Sequence, residues 1–280
     1  MGPGPQAQPD RPRACGQGKR LIALAELPLR QELPWPVLLG YLRPRLIPLL
    51  ERIEGGAYER RVGAQWLRVA PAVDGTLLRI EASRRVAAGG LAERAARLFG
   101  VEEDPAPALR ALARHPVLRP LVARMPGLRP PGCWDPFELC LRTIIGQQVS
   151  VAAANTLMHR LIERSGELTP PAVLAADLSQ MGMPGRRVET LRVLARAAQD
   201  GLRLDAPWAE VDAGLAALPG FGPWTRGYLA IRLGRQPDAF PHTDLGLVRA
   251  AGAESPAALL AQAEAWRPYR SLAATLLWAG

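Results

Sequence analysis

Apolar and polar positions along this 280-residue chain follow one rhythm up to about residue 105 and another beyond it. "RLIALAELPL" (20–29) is short and apolar, which suits a strand. "WPVLLGYLRPRL" (35–46) carries helical spacing, and Gly55-Gly56 marks a turn. Over 57–82 the pattern alternates in places and contains Asp74-Gly75, a strong hairpin signal. "GGLAERAARLFG" (89–100) reads as an amphipathic helix that Gly100 stops. Residues 19–105 therefore predict a small α+β domain, an antiparallel sheet with helices. Residues 1–18 are rich in Pro, Gly and Gln, lack an apolar signal core, and predict a disordered tail.

From 106 to 280 the texture is Ala, Leu and Arg, cut by Pro and Gly into short helices. "FELCLRTIIGQQVSVAAANTLMHRLIERSG" (137–166) is a helical stretch interrupted at Gly146. In 186–201, Val188, Leu191, Leu194 and Ala195 share one face; in 208–220, Val211, Leu215 and Leu218 do. This part predicts an all-α fold with no solenoid period. Within it, "LPGFGPWTRGY" (218–228) packs two glycines and two prolines into its first six positions, at an ordinary-looking helix join.

Charge changes the picture most. The net charge of +9 points to a polyanionic partner. Of the 35 basic residues only Lys19 is lysine; the rest are arginine. The cysteines, Cys15, Cys133 and Cys140, are too few and too dispersed for a four-thiolate cluster or a zinc site, and predict free thiols in a reducing compartment. No apolar run approaches the roughly 20 residues that span a bilayer. A cytoplasmic, nucleoid-associated protein with no membrane partner is expected.

The hairpin can be read physically. Leu218 ends one helix, and Pro219-Gly220 blocks its continuation. Gly222 then acts as N-cap, and Pro223 takes the first helical position, where a missing N–H costs nothing. Amides exposed at a helix N-terminus attract an anion, here a nucleic-acid phosphate contacted without reading sequence. A plain connection that merely needs glycine remains the alternative. "LPGFGPWT" followed by "FPHTDLGL" (240–247), with Asp244 lying 22 residues after Gly222, resembles the helix-hairpin-helix DNA glycosylase superfamily. "PGLRPPGCWDPFELCLRTIIGQQVSVAAA" (126–154), "LGRQPDAFPHTDLGLVRA" (233–250) and "AEAWRPYRSLAATLLWAG" (263–280) resemble its bacterial 3-methyladenine DNA glycosylase II type. The likeness covers about residues 20–280. It implies that the α+β domain is followed by helix-hairpin-helix glycosylase domains. One is central (133–236, hairpin 218–224); the other joins 106–132 to 237–280.

The resemblance implies roles for individual residues. Asp244 is the expected catalytic carboxylate, stabilising positive charge on the sugar as the base leaves; a helix N-cap is its other reading, and the two coexist. Trp224, Tyr228 and Trp278 are the expected base pocket, or alternatively core. Leu218, Pro219, Gly220, Phe221, Gly222 and Thr225 form the DNA-binding hairpin, with carbonyls of Leu218 and Phe221 available to a monovalent cation. Gln147 and Gln148 are the expected gap-filling wedge, Gln148 standing where relatives often carry an apolar residue; partnered polar residues at a helix join are the alternative. Trp224 occupies the place of the strand-nicking lysine of bifunctional relatives, so a monofunctional enzyme is expected. Arg226, Arg232 and Arg249 either meet phosphates or lie on solvated faces, and His242 reads as a turn residue. The implied protein is a monomer without a cofactor or side-chain metal site, acting on double-stranded DNA that contains damaged bases and excising alkylated purines. A deaminated-base glycosylase and a non-catalytic damage-sensing module are the alternatives.

Overall fold

The computed structural model describes residues 21–86 and 89–280. The disordered tail expected over 1–18, and Lys19, lie outside them. The alternating segments become five antiparallel strands: β1 (Ile22–Pro28), β2 (Glu51–Glu54), β3 (Ala57–Val62), β4 (Gln65–Pro71) and β5 (Leu77–Ala82). Their order across the sheet is β1-β5-β4-β3-β2. The sequence reading of 57–82 recognised one hairpin. The structure has two there, because Gly63 takes a positive φ of 57° and closes β3 onto β4. Gly55-Gly56 closes β2 onto β3.

The register gives the two faces opposite characters. Tyr58, Val69 and Ile80 lie in one cross-strand row and are fully buried. One residue along, the row reads Arg52, Glu59, Arg68, Glu81, with opposite charges facing each other across four strands. Such pairs each contribute only a few tenths of a kcal/mol to about 1 kcal/mol, but they fix the register.

Thirteen α-helices complete the described chain. Helix α1 (Trp35–Leu42) lies between β1 and β2, and α2 (Leu91–Phe99), α3 (Ala106–Leu112) and α4 (Arg119–Arg124) follow the sheet. Next come α5 (Pro136–Ile145), α6 (Val151–Ser165), α7 (Pro170–Ala175), α8 (Gly185–Gln199), α9 (Trp208–Ala216) and α10 (Pro223–Arg232). The last are α11 (Leu245–Ala250), α12 (Pro256–Ala263) and α13 (Arg270–Ala279). Helix starts follow local chemistry. Asp135 caps α5 by accepting from the amides of Phe137 and Glu138, and Ser150 caps α6 through Ala153 N–H. Val188 is only half-buried on α8, whereas Leu191, Leu194 and Ala195 are fully buried, so the apolar face read from the sequence is the packed one.

Buried residues form two clusters. One joins the sheet, α1–α4 and the C-terminal helices α11–α13. The other joins α5–α10. A buried ion pair links the sheet to α5: Arg60 Nη2 of β3 donates to Glu138 Oε1 at 2.5 Å, both residues being less than a tenth exposed. Burial pushes the Glu138 carboxyl up to about 7, with Arg60 pulling in the other direction. Without Arg60, burial acts unopposed and lifts that carboxyl further, so the Arg60→Leu variant keeps Glu138 protonated near neutral pH. Its stability deficit is smallest below pH 6, where both proteins hold the proton, and grows by up to about 1.4 kcal/mol per pH unit above 7, where only the wild type has given it up. Urea denaturation of both proteins at pH 5.5 and 8.5 measures this; a pH-independent difference would contradict it.

Candidate active site

The hairpin is built from inside outwards. Helix α9 ends at Ala216, so the turn begins two residues before Leu218, where the sequence placed the helix end. Phe221 is 4% exposed and anchors the turn in the α5–α10 cluster. Pro219, Gly220, Gly222 and Pro223 are left on the surface. Gly220 has a φ of +88°, and a Cβ there would stand 2.5 Å from Thr190 Oγ1. Only glycine satisfies both constraints. Gly222 has an unstrained φ of −69° and open space around its missing Cβ. No internal contact demands glycine at 222. Its bareness exposes the amides at the start of α10, where an external anion can approach. Thr225 is buried and supports the turn from below, so the hairpin presents backbone, and the side chains of Phe221 and Thr225 face inwards. The Leu218 carbonyl receives only a long 3.5 Å contact from Phe221 N–H, which leaves it able to accept a further ligand.

Twenty-two residues beyond Gly222, Asp244 caps α11, its Oδ1 accepting from Leu247 N–H at 2.9 Å. The cap reading is thus correct, and it is not the whole account. Trp224 Nε1 on α10 donates to Asp244 Oδ2 at 2.8 Å, and Trp278 Nε1 on α13 donates to Oδ1 at 3.3 Å. Two helices from different buried clusters therefore hold one half-buried carboxylate. A Cβ at Gly246 would meet Asp244 Oδ1 at 2.9 Å, so glycine keeps the acid unobstructed. Trp224 stacks on Tyr228 with centroids 5.9 Å apart and planes 15° from parallel, and Tyr228 meets Trp278 edge-on at 5.3 Å. Of the three aromatic residues singled out in the sequence, Trp224 and Trp278 reach Asp244, and Tyr228 packs against both of their rings.

Behind them, Arg232 Nη1 donates to Tyr228 Oη at 2.7 Å. Burial alone would raise the Tyr228 phenol pKa; Arg232, with Arg45 and Arg142 beyond it, outweighs burial and lowers it. Arg232 is 5% exposed and also donates to the carbonyls of Pro131 and Gly132. Arg226 holds both oxygens of Asp212 at 2.8 Å. Two of the three arginines considered for phosphate contact are thus committed internally. Arg249 is exposed and lines the cleft in front of Asp244.

That cleft has a volume of about 960 Å³ and is lined by Gln148, Trp224, Asp244, Leu245 and Arg249, among others. The two glutamines divide their work. Gln147 Nε2 donates to Gly220 O at 3.0 Å and to Thr225 Oγ1 at 2.9 Å, while its own carbonyl accepts from Arg187 Nη2 at 2.7 Å. Both amide protons being used, Gln147 is a strut under the hairpin and does not project as a wedge. Gln148 is exposed, sits at a positive φ of 56° in the turn between α5 and α6, and faces the cleft. For Gln147 the alternative of a partnered polar residue at a helix join holds; the sequence reading missed Leu245 (63% exposed beside Asp244) and the role of Gly246. Only the last had a local signal, a glycine two places after an acidic cap. His242 lies in the turn before Asp244, as expected. Cys133 and Cys140 are free and buried, burial pushing the Cys133 thiol up to about 12. Among the described residues no group of three or more His, Cys, Asp or Glu could hold a metal, and no helix is long and apolar enough to cross a membrane.

A glycine-rich hairpin, then an aspartate caged by indoles, set in helices behind an antiparallel sheet, defines the helix-hairpin-helix class. Residues 141–253 match the HhH-GPD superfamily of base excision DNA repair proteins, and residues 24–135 match the AlkA N-terminal domain. DNA-3-methyladenine glycosylase 2 of Escherichia coli (strain K12) is 34% identical over 269 residues, covering 87% of this chain and 93% of that one. The chain belongs to the AlkA (DNA-3-methyladenine glycosylase 2) family. It is also 34% identical over 278 residues to a probable bifunctional transcriptional activator/DNA repair enzyme AlkA of Mycobacterium tuberculosis, covering 90% of this chain but 56% of that protein. The solved 3-methyladenine DNA-glycosylase of Archaeoglobus fulgidus shares the fold, with a TM-score of 0.77 at 21% identity over 91% of this chain and 97% of that one.

Proposed function

We propose that this protein is a monofunctional DNA glycosylase, acting as a monomer on double-stranded DNA. It extrudes alkylated purines and cleaves their N-glycosidic bond hydrolytically, leaving an abasic site for base-excision repair. The observation that carries the reading is the convergence of the Trp224 and Trp278 indole N–H groups on Asp244. As the bond opens, positive charge gathers on the sugar. A carboxylate already oriented by fixed donors stabilises that charge without reorganising solvent. The faces of Trp224, Tyr228 and Trp278 attract a purine that alkylation has made cationic. Such a base is a good leaving group, and the reaction requires no strong general acid.

The remaining parts have matching tasks. The hairpin amides after Gly222 hold a phosphate of the lesion strand, and a monovalent cation on the Leu218 and Phe221 carbonyls would add positive charge beside it. Gln148, exposed at the cleft edge, enters the space that the extruded nucleotide leaves. A damage-sensing module without catalysis has no use for a caged carboxylate at the cleft. The position that follows the hairpin carries an indole, so no amine is available there to attack the sugar.

Incubation with duplexes carrying defined methylated, deaminated or oxidised bases tests the proposal. Release of N3- and N7-methylpurines, with no borohydride-trapped adduct, is the expected result. Release confined to deaminated bases would reassign the substrate, and efficient trapping would remove the monofunctional mechanism.

A further inference from the structure

Gln148 stands on a ridge. On one side lies the cleft of Asp244; on the other a second groove of about 530 Å³ runs between α6 and α8, lined by Gln148, Thr156, Arg160, Met183, Arg186 and Arg187. A smaller recess of about 450 Å³ joins it to the hairpin past Thr190 and Gly220. Three arginines line the groove, and no carboxylate does. Beyond this groove and the recess joined to it, the recesses with more than one arginine also carry acids: Glu103 and Asp104 line the one with Arg129 and Arg235, and Glu93, Asp135 and Asp205 the one with Arg94, Arg97 and Arg203. Here Arg160 donates only to the Met181 carbonyl, at 3.2 Å. Arg187 is 8% exposed, and its partner is the neutral carbonyl of Gln147. Arg186 is exposed and has no ion-pair partner among the described residues. Like charges gathered without compensation are unfavourable unless an anion completes the site.

We infer that this groove holds the phosphate backbone of the strand opposite the lesion, with Arg160 and Arg186 as its contacts. The inference rests on the glycosylase reading above. If Gln148 enters the duplex and the extruded nucleotide turns towards Asp244, the complementary strand lies on the far side of the same residue. The hairpin engages one strand and the α6–α8 groove the other. Gln147 spans the join between them, bonded to the hairpin by its side chain and to Arg187 by its backbone.

Neutral methylphosphonate linkages test the assignment. Three are placed opposite the lesion in the complementary strand, or beside the lesion in its own strand, and duplex binding is measured for the wild type and for Arg160→Ala/Arg186→Ala. Arg187 is left intact because it holds Gln147. Linkages in the complementary strand are expected to weaken wild-type binding about tenfold and to leave the double variant little further affected. Linkages in the lesion strand weaken both proteins equally. The slope of log affinity against log salt falls by about 2 in the double variant, one for each lost phosphate contact. Inorganic phosphate at 10 mM leaves the wild-type affinity unchanged beyond its ionic-strength effect; specific competition would mark a small-anion site and overturn the assignment. Equal, additive losses from complementary-strand linkages in both proteins would overturn it as well. Binding is read without base release, so a failed groove and a failed catalytic reading give different results.

Discussion

Asp244→Asn is expected to abolish base release while DNA binding persists and stability falls by no more than about 1–3 kcal/mol. The substitution preserves shape, and Asn is as good an N-cap as Asp, so α11 keeps its Leu247 N–H bond. What changes is charge and hydrogen-bond polarity. The carboxylate now accepts from Trp224 at one oxygen and from Trp278 and Leu247 at the other. An amide with its oxygen towards Leu247 turns its NH2 group on the Trp224 N–H, donor against donor. The negative charge facing the sugar disappears as well. Removing a single preorganised electrostatic contact from an active site costs about 10²–10³-fold in rate, and loss of the full charge should cost at least that much. Single-turnover release of a methylated purine, alongside an equilibrium binding titration, separates the two effects. Release at the wild-type rate would reduce Asp244 to a helix cap and remove the mechanism.

Much of this site was legible before any coordinates, because its landmarks are local. "LPGFG", the proline after it and the aspartate 22 residues beyond the last glycine are short-range signals of backbone shape and capping. What stayed hidden depends on distant partners. Gln147 and Gln148 are chemically identical neighbours, and nothing in their order says which turns inwards. The answer lies in Gly220 and Thr225, more than 70 positions away. Arg232 sits on a helix face that reads as amphipathic, yet its charge is spent on carbonyls about 100 positions earlier in the chain. The sheet was under-read for a related reason. Strand β2, "ERIE", is too charged to look like a strand until Glu59 and Arg68 complete its row from across the sheet.

Two substitutions in the hairpin separate architecture from recognition. Gly220→Ala forces an alanine into a positive φ, worth about 1–2 kcal/mol, and drives its methyl group into Thr190 at 2.5 Å from Oγ1 and 2.7 Å from Cγ2. Thr190 is anchored on α8, its hydroxyl donating to the Arg186 carbonyl at 3.0 Å. The turn must therefore lift away from α8, and the Gln147 bond to the Gly220 carbonyl goes with it. A stability loss of about 2–4 kcal/mol is expected from these combined effects, with at least tenfold weaker DNA binding. Gly222→Ala meets neither obstacle, having an unstrained φ and no atom within 4 Å of the new methyl group. Its stability should change by no more than about 1 kcal/mol, the usual range for an altered N-cap. Binding should nevertheless weaken, because the methyl group stands over the amides that the phosphate approaches. Denaturation curves and binding titrations on the pair read this directly. If Gly222→Ala bound duplex DNA as the wild type does, the exposed amides of α10 would not be the contact, and the lesion strand would have to be held by side chains such as Arg249.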